Sequence, residues 1–195
     1  MMIANPEDFL DACDVVDFRD LAVMQLANEL AADDATATAQ RCFEFVRDKI
    51  RHSSDYELNP VTCVASDVLS HGTGYCYAKS HLLCALLRAN RIAAGLCYQR
   101  LTIDGDGPPY CLHGLNAVFL PGTGWYRLDA RGNRNDVSAA FCPPVEQLAF
   151  TTSLPGESDL PEIYASPLPT VVDCLNTYDT WDQVLRNLPD VEISQ

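Results

Sequence analysis

Three residues of this chain could together do acyl-transfer chemistry. Cys76 stands in Gly74-Tyr75-Cys76-Tyr77-Ala78-Lys79-Ser80-His81, just ahead of a long apolar stretch. His113 opens the apolar run His113-Gly114-Leu115-Asn116-Ala117-Val118-Phe119-Leu120, and Asp129 ends a second one, Trp125-Tyr126-Arg127-Leu128-Asp129. A free thiol is mostly protonated at neutral pH, but a helix N-terminus and a nearby imidazole both favour the thiolate. In such an arrangement His113 takes the thiol proton and returns it to the leaving amine, while Asp129 fixes the imidazole tautomer. Each residue alone has a plainer reading: a packed cysteine, a satisfied histidine, a turn carboxylate.

These residues need particular elements to hold them. Residues 76–90 carry the strongest helical pattern, with Ala78, Leu82, Ala85, Leu86 and Ala89 in register and Leu83, Cys84 and Leu87 widening the apolar surface. A helix this apolar belongs in the middle of a domain, with Cys76 at its start. Residues 95–103, 113–120 and 125–130 read as strands, the last two joined around Pro121-Gly122-Thr123-Gly124. The hairpin sets a geometric condition. A four-residue loop pairs Leu120 with Trp125 and sends His113 and Asp129 to opposite faces. A three-residue loop pairs Leu120 with Gly124 and puts both on one face, roughly 7 Å apart along the strand. The triad therefore predicts a bulge or an odd-length loop.

Elsewhere, residues 18–32 and 35–52 read as helices, with Asp33-Asp34 breaking the first and capping the second. Residues 53–62 read as a loop, Ser66 to Leu69 as one helical turn, and His71-Gly72-Thr73-Gly74 as a flexible approach to Cys76. Short helices are expected at 143–150, 169–176 and 180–187 in the Pro-rich tail. No repeat or linker divides the chain, and 195 residues suit one domain.

With 13 Lys+Arg against 27 Asp+Glu the net charge is −14, which disfavours nucleic acid as a partner. No apolar run approaches membrane-spanning length, and the first residues lack the pattern of a secretory signal. The nine cysteines follow no disulfide framework. The expectation is a cytoplasmic protein with reduced thiols. His71 and Cys76 lack the second ligand pair of a zinc site, so no metal or other cofactor is expected.

The order Cys76, His113, Asp129 and its surroundings resemble the transglutaminase-like superfamily, which shares the papain-like core. Ser66-Asp67-Val68-Leu69 leading to Gly74-x-Cys76, the helix and turn of residues 82–94, and the segment from His113 through Pro121-Gly122-Thr123-Gly124-Trp125 to Asp129 carry the resemblance, over about residues 40–135. Arg91 and Ala93 replace the usual Gly and Pro of the turn. Gly114-Leu115 follows His113 where many members have Ala-Trp, and Tyr77 replaces a frequent polar residue after Cys76. The resemblance implies an α+β, papain-like fold in which the Cys76 helix packs on an antiparallel sheet, the whole chain forming one such domain. It implies a peptide or protein amide as substrate, attacked through a Cys76 thioester without a cofactor. Hydrolysis, as in a protease or amidase, is favoured over amine transfer. The Cys76 amide is one expected oxyanion donor. A second should come from a side chain upstream, for which Tyr56 is the candidate. Tyr77 and Lys79 are further candidates for pocket lining. The competing class is an inactive binding module of the same fold that holds a peptide or partner; a redox-responsive or metal-responsive thiol protein is the third reading. Oligomeric state is not legible.

Overall fold

The computed structural model describes residues 4–105 and 107–192. A 3-10 turn at Pro6–Phe9 precedes helix α1 (Leu21–Leu30) and helix α2 (Ala35–Lys49). The first helix starts three residues later than the apolar pattern suggests. Asp20 sets its start by accepting hydrogen bonds from the amides of Ala22 and Val23, as an N-cap carboxylate does. Asp34 caps α2 in the expected way through the Ala37 amide. That helix stops at Lys49, short of the expected residue 52. Arg51–His52 instead form a two-residue strand, β1.

Helix α3 (Ala65–His71) ends on Gly72, whose φ is +65°. It leads into strand β2 (Thr73–Gly74), which pairs in parallel with β1 so that His52 lies opposite Gly74. The approach to Cys76 is thus a hydrogen-bonded ladder rather than a flexible loop. Helix α4 (Cys76–Ala89) follows at once, and every residue from Cys76 to Arg88 is buried. It packs against α1, α2 and α3 on one side and the main sheet on the other. Leu82, Leu83, Leu86 and Leu87 are fully buried, each contributing about 1.5–3 kcal/mol. Most polar groups taken inside are hydrogen-bonded, as burial favours, although His81 Nε2 has no partner. Arg88 donates to the carbonyls of Ala94, Asp11 and Ala165, and Ser80 to that of Tyr77.

The main sheet is antiparallel. Strands β3 (Ala94–Thr102), β4 (Tyr110–Leu120) and β5 (Gly124–Leu128) precede a small hairpin of β6 (Ala140–Cys142) and β7 (Val145–Gln147). Strand β8 (Ser158–Asp159) completes the sheet, in the order β5-β4-β3-β8. Its two faces have different partners. Leu96, Tyr98, Leu112, Val118, Leu120 and Tyr126 join the core around α4. Cys97, Leu115 and Ala117 form a second cluster with Trp125, Leu148 and Ile163. That second face is roofed by the chain after residue 142.

Here a sequence expectation fails. Residues 143–150 are not a helix: Pro143-Pro144 turn the chain between β6 and β7, and Leu148 then runs onto the sheet. Two consecutive prolines suit a turn because both lack a backbone donor. Helices α5 (Pro169–Thr177) and α6 (Trp181–Arg186) close the tail near their expected places. No helix among the described residues is long and apolar enough to cross a membrane.

Candidate active site

The β4–β5 register meets the condition set by the triad. Leu120 pairs with Gly124 and Asn116 with Leu128, so the loop is the three residues Pro121–Thr123. Gly122 and Gly124 take φ of +78° and +83° there, a conformation that favours glycine. Extending the register by one residue puts Asp129 opposite Leu115, on the same face as His113.

His113 Nε2 is 2.7 Å from Asp129 Oδ2. With Nε2 on Asp129, Nδ1 is the ring atom left for the Cys76 thiol, which lies near enough to favour a charge on the ring. Cys76 is the first residue of α4, where the backbone amide has no carbonyl within the helix to bond. The Gly114 amide points at Cys76 Sγ from 3.5 Å. Gly114 lets strand and helix start approach this closely, since a Cβ there would sit 3.0 Å from Tyr77 Cα. The departure from the family pattern at this position thus has a steric reason.

Burial opposes a charge on His113. The Asp129 carboxylate and the Cys76 sulfur outweigh it and raise His113 to about 10. Burial also pushes the Asp129 carboxyl up. It is nevertheless held below its ordinary value by the His113 charge and by hydrogen bonds from His113, the Arg131 amide and the Ala149 amide. Both groups lie in the interior, His113 at 3% exposure and Asp129 at 0%. There a charge pair is sustained only when its hydrogen bonds are complete.

One of these supports, and an aromatic contact to His113, come from the tail, where the sequence pattern marks no site. Ala149 donates to Asp129 Oδ2 at 3.1 Å. Phe150 stands edge-on to the His113 ring at 4.9 Å. Arg131 binds Asp55 through both guanidinium arms, at 2.6 and 2.9 Å, and lies over the Phe150 ring. The bond to Asp55 ties the loop after β1 to the segment after β5.

Cys76 and His113 form the floor of a cleft of about 550 Å³. The weaker sequence candidates divide around it. Tyr77 lines the cleft, but its hydroxyl is spent on the Leu112 carbonyl. Tyr56 is 58% exposed, sits under the Arg51 guanidinium and borders a separate cavity of about 160 Å³, so it is not placed to be the oxyanion donor. Lys79 faces that second cavity as well. Its ammonium is buried against the carbonyls of Arg47 and Ile50, where a cation offsets the C-terminal dipole of α2. Burial lowers Lys79 to about 7.

His52 lines the cleft from upstream, beside Ser54 and Tyr75, and also borders the second cavity; the sequence hides it because the helical pattern runs through it. Its ring meets Tyr75 edge-on at 5.4 Å. Its Nδ1 is 3.1 Å from Ser54 Oγ and 3.7 Å from Asp55. Burial and the Arg131 charge hold His52 well below its ordinary value, so it is neutral. The one available signal is the polar run His52-Ser53-Ser54-Asp55 directly after α2.

A buried cysteine at a helix start, set near a strand histidine that is bonded to a carboxylate, defines a papain-like arrangement on an α+β fold. Residues 24–130 match the transglutaminase-like superfamily, and the chain belongs to it. The match contains all three residues and ends just past Asp129, so the roof over His113 lies outside it. No curated protein matches the chain. Among solved structures it is similar to a candidate cysteine protease from Cytophaga hutchinsonii, at 18% identity and a TM-score of 0.49, over 63% of this chain and 40% of that one. It is also similar to the periplasmic domain of TgpA from Pseudomonas aeruginosa, at 19% identity and a TM-score of 0.46, over 65% and 48%. The chain thus spans less than half the length of either.

Proposed function

We propose that the protein is a cysteine-dependent amide hydrolase acting on a peptide or protein. The observation that carries this reading is the His113 ring, bonded to Asp129 and set near Cys76 at the floor of an open cleft. Cys76 Sγ attacks the amide carbon, and the carbonyl electrons move to oxygen. The oxyanion collapses, the C–N bond breaks, and His113 Nδ1 gives its proton to the departing amine. Water then attacks the thioester with His113 as base and releases the acid. We favour water over an amine as acceptor, because the arm of the cleft beside His113 is polar, lined by Ser54, Arg131, Arg134 and Asp136. The nine unpaired thiols support a cytoplasmic setting.

Treatment with iodoacetamide at about pH 6, where ordinary thiols are protonated, tests the nucleophile. Rapid labelling confined to Cys76, mapped by mass spectrometry, is expected. If Cys76 reacts no faster than the other cysteines, the non-catalytic binding module becomes the better account.

The Cys76 amide supplies one oxyanion donor, and we assign the second to His52. Asp55 is already engaged by Arg131 and Arg134. The Ser54 hydroxyl is therefore the partner that can donate to Nδ1, which leaves the His52 proton on Nε2. His52→Phe keeps a ring against Tyr75 and removes that donor. Turnover of a peptide amide should fall about 10²–10³-fold, with Cys76 alkylation unaffected. Slowed alkylation instead would show that His52 only supports the thiol.

A further inference from the structure

We infer that one arm of the cleft is a subsite for an apolar side chain of the amide substrate, which rests on the hydrolase reading. Strand β3 pairs Gln99 with His113 and Leu101 with Cys111. Leu101 and Ile103 therefore extend along the face that carries His113. Across from them runs the tail segment that includes α6, and its Leu185 and Leu188 line the same cleft.

Three contacts pin this segment beside the site. Arg100 binds Asp190 through two arms at 2.7 and 2.6 Å. The Leu112 amide donates to the Pro189 carbonyl at 2.7 Å, and the Tyr75 hydroxyl donates to that of Trp181 at 2.5 Å. Held in this way, Ile103 and Leu185 remain 46% and 45% exposed. Large apolar side chains left open in a concave site beside the reacting atoms fit a bound apolar group.

Two charged groups near this arm, Arg100 and Glu157, are already satisfied. Arg100 is paired with Asp190 and lies over the Tyr110 ring at 3.9 Å. Glu157 accepts from the amides of Thr102, Ser153 and Leu154. Neither of these two charges is left free for a charged side chain, whereas an aliphatic or aromatic one would shed water against four apolar residues. Leu101 and Ile103 lie within the segment matched to the superfamily and Leu185 and Leu188 beyond it, so one wall of the subsite comes from the tail.

The test compares how fast Cys76 is alkylated by 2-chloroacetamide, N-benzyl-2-chloroacetamide and N-(chloroacetyl)glycine. The benzyl reagent should react at least about tenfold faster than the parent, since a buried phenyl ring is worth that much or more, and the glycine reagent should gain nothing. Ile103→Glu and Leu185→Glu, both at open positions, should abolish the preference while plain iodoacetamide labelling persists. Equal rates for benzyl and parent reagents, or a preference that survives both changes, would overturn the subsite. A second measurement is independent of the thiol. In Cys76→Ala protein, N-benzylacetamide should shift the NMR signals of the Leu185 and Leu188 methyls, and acetamide should not. An inert Cys76 with shifted methyls would retain the subsite and remove the nucleophile. A reactive Cys76 with unshifted methyls and no benzyl preference would do the reverse.

Discussion

Replacing His113 by alanine is expected to lower amide turnover about 10²–10⁴-fold, the range for loss of a positioned acid–base group. His113 makes the 2.7 Å bond to Asp129 and lies near the Cys76 sulfur, and the proposed reaction depends on both. Alanine removes both, along with the positive charge that sits against the sulfur. The labelling of Cys76 by iodoacetamide at about pH 6 should fall with turnover, because the thiol then lacks its counter-ion. A folded His113→Ala protein whose Cys76 still labels at the wild-type rate would mean that the helix start alone activates the thiol. His113 would then not be the group that activates Cys76. Folding is checked separately by thermal melting, because the vacated space beside Phe150 and the unpaired Asp129 carboxylate will cost stability.

Asp129→Asn should give the second large effect, on turnover and on stability. The carboxylate accepts from three donors: His113 Nε2, the Arg131 amide and the Ala149 amide. An amide side chain must present its NH₂ to one of them, so a buried donor loses its acceptor. The loss should be about 3 kcal/mol, on the scale of breaking a buried charged pair. Turnover should fall within the range of about 10²–10⁴-fold for a disabled acid–base group, because the His113 charge loses its carboxylate partner.

The pH dependence of stability gives a sharper test. The folded value of His113 is raised from 6.5 to about 10. Its contribution is therefore complete below about 6.5 and is lost as pH climbs toward about 10. Asp129 is lowered from 3.8, so its contribution is present above that value and is lost as the solution is acidified below it. The wild-type melting temperature should therefore carry a declining His113 component between about pH 6.5 and 10, set against a rising one from Lys79, which burial lowers from 10.5 to about 7. In Asp129→Asn the principal support of the His113 charge is gone, and that decline should flatten. Parallel declines in the two proteins would show that Asp129 does not sustain the His113 charge.

The sequence by itself determined the helix that begins at Cys76, the three strands after it, and the odd-length hairpin loop that brings His113 and Asp129 to one face. Those features follow from local rules. Apolar spacing fixes which face is buried, glycines permit the turn, and a strand period of two makes a one-residue difference in loop length decide whether two side chains meet. The family was legible for the same reason, since its motifs are local and lie within the matched segment. Three features were not legible. His52 ends a helical pattern but is drawn into a strand by Thr73 and Gly74, a pairing between residues more than twenty positions apart. Tyr56 and Lys79 are near the site in sequence yet face a different cavity, because the direction of a side chain depends on what packs behind it. The segment around Leu148 has a helical pattern, but the second face of the sheet was uncovered and took it as a roof. An exposed apolar sheet face costs more than a short helix gains on its own, so tertiary burial decided which residues enclose His113 and Asp129 and line the cleft beside them.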